Sequence, residues 1–149
     1  EQMQTVKEYG EKYGFKHSFP IFFIKNHSAQ VLKANMKIVG ATEYAMVLYR
    51  DKLPKFNNCG KMVFNWFNWH RDGKEIPKIH PTQKPISVLK RLIEIFTDPG
   101  DVVIDPVAGS ASTLRACAEI GRNAFGFEVS KEFYNRAKTD MLSNIQTTI

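Results

Sequence analysis

The sequence predicts an α/β domain built on a parallel sheet, and three observations carry that prediction. Val102-Val103-Ile104 is a short β-branched run that ends in Asp105-Pro106 and a loop of small residues. Ser112–Ile120 then has helix-forming composition and is closed by Gly121, and Ala124–Phe127 is a second apolar run. Strand, helix and strand at this spacing make a right-handed parallel unit with the helix packed on the sheet.

The earlier elements follow in order. Met3, Val6, Tyr9 and Tyr13 recur at helical spacing, so residues 1–14 are expected to be helical up to Gly14, rather than a secretory leader. Phe19–Ile24 is a short apolar run and reads as a buried strand. Val31–Val39 has no clean periodicity, and Glu43–Arg50 reads as another strand. Asp51–Ile79 reads as loop because it holds Pro54, Asn57-Asn58, Gly60, Asp72-Gly73 and Pro77, although Phe56, Phe64, Trp66, Phe67 and Trp69 also lie in it. Pro85 suits the first position of a helix whose apolar face is Ile86, Leu89, Leu92, Ile93 and Phe96, stopped by Asp98-Pro99-Gly100. Ser130 is placed to cap a last helix, with Val129 and Tyr134 as a hydrophobic staple and Phe133, Ala137 and Met141 facing inward. Without repeats or a clear linker, residues 1–149 are read as one domain.

Composition excludes several classes. No apolar run approaches the ~18–20 residues of a membrane span. Cys59 and Cys117 are far apart, and His70 and His80 lack metal-ligand spacing. No disulfide framework and no metal site are therefore expected, and a reducing cytoplasm is the expected setting. The net charge is +6, and between Lys33 and Lys78 nine Lys/Arg face four acids. That balance suits a phosphate backbone; a solvated lysine-rich surface is the plain alternative.

The residues that carry chemistry lie around the loop. Ala108, Gly109, Ser110 and Ala111 are small enough for the backbone to approach a ligand at the N-terminus of a helix. Glu128, 19 positions beyond Gly109, falls where an acid at the end of the next strand accepts hydrogen bonds from both ribose hydroxyls. Glu128 is equally suited to favouring a helix N-terminus, and Asp105 to forming the turn before Pro106. The loop lacks both G-x-G-x-x-G and the Gly-Lys-Ser/Thr of a P-loop, which disfavours a nicotinamide enzyme or an NTPase.

His80-Pro81-Thr82-Gln83-Lys84-Pro85, an amphipathic helix, Asp105-Pro106-Val107-Ala108-Gly109-Ser110 and Gly126-Phe127-Glu128 together resemble the β-class amino-group DNA methyltransferases. Ile24-Lys25-Asn26 and Thr42-Glu43-Tyr44 match further segments of that family, so the resemblance covers residues 15–142. It implies a Rossmann-like methyltransferase sheet, mostly parallel with an antiparallel element and helices on both faces, present as a partial domain. It implies S-adenosylmethionine as cofactor and double-stranded DNA as partner, with methyl transfer to adenine N6, favoured over cytosine N4. By position, Asp105 and Val107, Ala108, Gly109 and Ser110 would floor the cofactor site, Glu128 would take the ribose, and Thr82, Gln83 and Lys84 would lie near the methionine end. His80 is read as fixing its turn. Residues 30–79 would carry target recognition, with Lys33, Lys37, Lys52, Lys55, Lys61, Arg71 and Lys74 on DNA, and residues 80–142 the cofactor subregion.

The chain departs from the family pattern at Val107 (Phe in the family), Ala111 (the second loop glycine) and Ser112 (Thr). The family's Asp/Asn/Ser-Pro-Pro-aromatic tetrapeptide occurs nowhere in the sequence, and in the β-class order it belongs upstream of Glu1. That tetrapeptide accepts the hydrogens of an exocyclic amine and stacks on the flipped base. The expectation is a C-terminal methyltransferase portion, inactive by itself. Asn65–Trp69 is not read as a substitute. The alternatives are a non-catalytic nucleic-acid-binding module of the same fold, or a methyltransferase acting on RNA or a small molecule.

Overall fold

A computed structural model describes residues 2–28, 30–53, 55–143 and 145. They fall into two compact units, one formed by residues 1–54 with 60–69 and the other by residues 55–59 with 70–149. Pro54, which the sequence reading places in a loop, lies outside the described residues.

The first unit starts with helix α1 (Gln2–Lys12), which ends at Gly14 in the left-handed conformation, φ 88°. Strand β1 (His17–Lys25) is followed by a short hairpin of β2 (Val31–Lys33) and β3 (Ile38–Val39), then by β4 (Thr42–Tyr49) and β5 (Trp66–Trp69). The sheet order is β4-β1-β5, with β1 antiparallel to β4 and parallel to β5. Pro20 sits inside this central strand without breaking the ladder. Its carbonyl faces the β5 side, where the Asn65 side chain donates to it, and β5 pairs only from Phe22 onward. The missing N–H therefore falls beyond the end of the neighbouring strand. Ile21, Phe23 and Trp69 are buried on one face, with Phe23 and Trp69 edge-to-face at 5.8 Å.

Strand β5 corrects the reading of Asp51–Ile79 as loop throughout. Its four residues are surrounded by turn formers, and its partner in β1 is about 44 positions away, so only the tertiary ladder reveals it. The aperiodic stretch Val31–Val39 is likewise a hairpin, irregular because its register shifts between Val31 and Lys33.

In the second unit, helix α2 (Ile86–Phe96) precedes β6 (Val102–Asp105), α3 (Ser112–Glu119), β7 (Asn123–Gly126) and α4 (Lys131–Arg136), which runs into a π turn at Ala137–Met141. Ile79, Ile86, Ile93, Ala116, Cys117 and Met141 form the core, with Val103, Ala124 and Phe133 packed against it. Strands β6 and β7 are parallel, pairing Val102 with Asn123 through Asp105 with Gly126. Their opposite face carries Val102, Ile104, Phe125 and, just past β7, Phe127, each 55–64% exposed.

Helix α2 differs from its predicted stripe, since Val88 and Ile95 are buried as well as Ile86 and Ile93. Residues 55–59 supply the second contact. Asn57 donates from its backbone N–H to the Ile95 carbonyl (2.7 Å) and from its amide to the Thr97 carbonyl (2.8 Å), satisfying carbonyls that a helix end leaves free. Pro85 is the N-cap rather than the first helical residue, and having no side-chain acceptor it leaves the cap to Asp72, whose Oδ1 accepts from Ile86 N at 2.9 Å. Ser130 caps α4 as expected, accepting from Phe133 N. The staple does not form, because Val129 is fully exposed and Tyr134 nearly half so.

Candidate cofactor-binding site

The loop between β6 and α3 is held open by hydrogen bonds on both sides. The Asp105 carbonyl accepts from Phe127 N (3.0 Å), Ala108 N donates to the Phe127 carbonyl (2.8 Å), and Asp105 Oδ1 accepts from Val107 N (3.1 Å). Asp105 is therefore a turn former as well as the strand end. Gly126 permits the close approach of β7 beneath the loop, since a Cβ there would stand 2.7 Å from Leu114 Cδ1 and 2.9 Å from Ala108 Cβ.

Glu128 closes the loop from the far strand. Its Oε2 accepts from Gly109 N at 2.8 Å and its Oε1 from Ser130 N at 2.7 Å, so one carboxylate pins both the loop and the start of α4. Each carboxylate oxygen retains a second lone-pair direction. Gly109 has φ 55° and nothing within 4 Å of the position a Cβ would take. A cradle of small residues with an acid at its rim and open space above Gly109 fits a ribose-bearing ligand.

Ala111 also lies in the left-handed region, φ 60°, and is 2% exposed. That backbone conformation costs an ordinary residue ~1–2 kcal/mol and glycine almost nothing. Beside it Ser110 and Ser112 are buried and share a hydroxyl hydrogen bond of 2.8 Å.

The second motif forms its own turn on the same core. His80 Nδ1 contacts the Thr82 hydroxyl at 2.9 Å and accepts from Thr82 N at 3.2 Å, and the His80 ring packs on Phe133 at 4.6 Å. Gln83 Oε1 accepts from Ile79 N and its amide donates to the Pro77 carbonyl, both at 3.0 Å. Neither Thr82 nor Gln83 hydrogen-bonds to the Val107–Ser110 loop; Lys84 is exposed. The two motifs share a floor, because Ile79 and Ile86 meet Ala116 and Cys117 in one cluster and Lys90 of α2 pairs with Glu119 of α3. Burial alone would raise the Glu119 carboxyl, but hydrogen bonds from Lys90 and Arg115 outweigh it and hold it below its ordinary value. Burial pushes the Cys117 thiol up to about 11, so it is inert packing.

The basic residues are dispersed. Lys33, Lys37, Lys52 and Lys61 belong to the first unit, and Lys55, Arg71 and Lys74 to the second. Lys55 is paired with Asp98, beside Asn57. Sequence reasoning missed Asp72 and the backbone-holding role of Gln83; a proline at an N-cap is the signal that another residue must cap α2. Among the described residues, no group of three His, Cys, Asp or Glu is placed to hold a metal ion, and no helix is long and apolar enough to cross a membrane.

Comparison with known proteins agrees with this geometry. A family model described as DNA methylase matches residues 3–139. The chain is 31% identical over 137 residues to the DNA adenine methyltransferase YhdJ of Escherichia coli, covering 88% of this chain and 45% of that protein. It is 38% identical over 61 residues to the type II methyltransferase M.HpaI of Haemophilus parainfluenzae, covering 41% of this chain and 19% of that one. The solved M1.HpyAVI–SAM complex superposes with a TM-score of 0.78 at 29% identity, covering 91% of this chain and 67% of the other. The chain thus spans less than half the length of these curated relatives. With a strand–loop–helix cradle on a Rossmann-like α/β frame and a family match over most of its length, the chain belongs to the DNA methylase family.

Proposed function

We propose that this chain binds S-adenosylmethionine through the Asp105–Ser110 loop and Glu128, and serves a DNA methyltransferase acting on adenine N6. The observation that carries the proposal is the Glu128 carboxylate reaching back 19 residues to Gly109 N at 2.8 Å, which makes loop and acid a single cradle. Bound there, S-adenosylmethionine supplies an activated methyl group. Glu128 would accept from the ribose hydroxyls through its remaining lone pairs, and Ala108, Gly109 and Ser110 would line the floor. Lys84, exposed at the turn before α2, provides a cation for the methionine carboxylate. The preference for adenine rests on the adenine specificity in the name of YhdJ. The dense Lys/Arg content of residues 33–78 supports duplex DNA as substrate.

The same reading assigns methyl transfer to a larger assembly than residues 1–149. No Pro-Pro pair exists in the sequence to accept the amine hydrogens. The exposed Val102, Ile104, Phe125 and Phe127 form the kind of face that parallel strands normally bury. We infer that further polypeptide bearing the tetrapeptide covers it. Calorimetric titration of S-adenosylmethionine tests the first statement: saturable binding is expected, and no heat at millimolar ligand refutes it. Tritiated methyl transfer to duplex DNA tests the second. The 149-residue chain is expected to be silent alone, and methylation by it alone refutes the assignment.

A further inference from the structure

We propose that Arg136 is a positioning residue for the methionine end of the cofactor: from α4 it fixes where the His80–Lys84 turn sits. This rests on the reading of the chain as an S-adenosylmethionine binder and goes beyond it by assigning a role to a residue outside both motifs.

The carbonyls of Pro77, Lys78, Ile79 and His80 lead into that turn, and each has a donor. Gln83 takes the outer pair. Its side-chain amide donates to the Pro77 carbonyl at 3.0 Å, and its backbone N–H to the His80 carbonyl at 3.2 Å. Arg136 takes the inner pair, Nη1 donating to the Ile79 carbonyl at 3.2 Å and Nη2 to the Lys78 carbonyl at 3.5 Å. Ile79 is 4% exposed, where a carbonyl without a donor is costly. A planar guanidinium presents its N–H groups as a rigid fork, which suits two adjacent carbonyls as a lysine ammonium does not. Asp140 lies 3.9 Å from Arg136 Nε, an opposite charge that favours this placement of the fork.

Shape and place of the turn have different sources. The Gln83 bonds and the Thr82–His80 contact lie within the turn and move with it, so they give it shape only. Arg136 reaches it from another element, 57 residues further along the chain. Phe133, three residues earlier on the same side of α4, packs its ring on His80 at 4.6 Å. The start of α4 is tied to the ribose side. Ser130 Oγ accepts from Phe133 N, and Ser130 N donates to Glu128 Oε1 at 2.7 Å. One short helix thereby joins the acid proposed for the ribose to the turn proposed for the methionine end. Releasing the inner carbonyls would let the turn shift, and Lys84 with it, while the ribose side keeps its own bonds.

Calorimetric titration of the whole chain with two ligands tests this. S-adenosylmethionine carries the amino-acid end; 5′-methylthioadenosine keeps the adenine, ribose and sulfur but lacks it. Arg136→Ala should weaken S-adenosylmethionine about tenfold and leave 5′-methylthioadenosine unchanged. Arg136→Lys keeps the charge without the fork and should show the same selective loss on a smaller scale, which carries the test if the alanine variant does not fold. Glu128→Ala should weaken both ligands, and Arg91→Ala, on α2 and 3.8 Å from Glu94, neither. Equal weakening of both ligands by the Arg136 variants would make Arg136 a general support of the fold and overturn the inference. Unmodified S-adenosylmethionine affinity in Arg136→Ala would overturn it too, while leaving the cofactor reading intact. Binding of neither ligand by the unmodified chain would overturn the cofactor reading itself.

Discussion

Replacing Glu128 with Gln separates its two assigned tasks, holding the loop and binding a ribose. The carboxylate accepts two backbone N–H groups at 2.8 and 2.7 Å, one on each oxygen. An amide offers one oxygen, so either Gly109 N–H or Ser130 N–H must face an NH2 group. One charge-assisted bond worth about 1.5–3 kcal/mol is lost and the other becomes neutral. Because Glu128 is only half-buried, water replaces part of the loss. A net cost of about 2 kcal/mol is expected, which lowers Tm by about 4–8 °C in a chain of this size. If the carboxylate also takes the ribose hydroxyls, S-adenosylmethionine affinity should fall by a further ~1–3 kcal/mol, or roughly 5- to 150-fold in Kd. Calorimetry well below the variant's Tm measures this in folded protein. The 2′-deoxyribose analogue completes the cycle: unmodified protein should discriminate against it, and Glu128→Ala should not. A Kd within twofold of unmodified protein, with Tm lowered, would leave Glu128 as a latch and refute the ribose assignment.

Two further substitutions probe the frame of the site. Ala111→Gly relieves a left-handed backbone worth ~1–2 kcal/mol. It also removes a buried methyl (about 0.8 kcal/mol) and loosens the unfolded chain (about 0.4–1 kcal/mol), so denaturant unfolding should show stability unchanged within about 1 kcal/mol. Ala111→Val should unfold at distinctly lower denaturant, because a β-branched residue resists φ 60°. Desolvation by burial raises the Asp72 carboxyl, against the lowering effect of its hydrogen bond from Ile86 N. A raised carboxyl contributes stability below its unfolded value of 3.8 that is lost as pH rises through the folded value. Asp72→Asn should therefore gain on unmodified protein between pH 3 and 7 in thermal unfolding, and a gain in the opposite direction refutes burial as the dominant effect.

What the sequence disclosed and what it hid differ in the range of the interactions involved. Helices α1, α2 and α3 and strands β1, β4, β6 and β7 were legible to within a few residues, because each is marked by its own periodicity and local stop signals. The turn between β6 and α3 was legible for the same reason: Asp105, the small residues and Glu128 lie within one strand–helix–strand unit. Strand β5 was not, since Trp66–Trp69 takes its conformation from Phe22–Lys25 across the sheet. Nor was the capping of α2, where the acceptor lies 14 residues upstream in Asp72. The misread staple shows the limit of spacing rules. Val129 and Tyr134 have the right separation, but Phe133 takes the inward position and packs against His80 instead.

The proposed division between cofactor binding and methyl transfer follows the same contrast of range. The Asp105 carbonyl accepts from Phe127 N and the Glu128 carboxylate from Gly109 N, so the loop is tied to the far strand within residues 105–130, above a core that includes residues of α2, α3 and the π turn. Accepting hydrogens from an exocyclic amine while stacking its base demands acceptors and an aromatic from elsewhere. The exposed face of β6–β7 gives that demand a thermodynamic form. Covering Val102, Ile104, Phe125 and Phe127, each more than half exposed, would contribute about 1 kcal/mol apiece. The sum is a sizeable fraction of the ~5–15 kcal/mol that holds a domain together. In the proposed reading, polypeptide that covers this face would bring the catalytic groups to the cofactor and stabilise the β6–β7 unit in the same step.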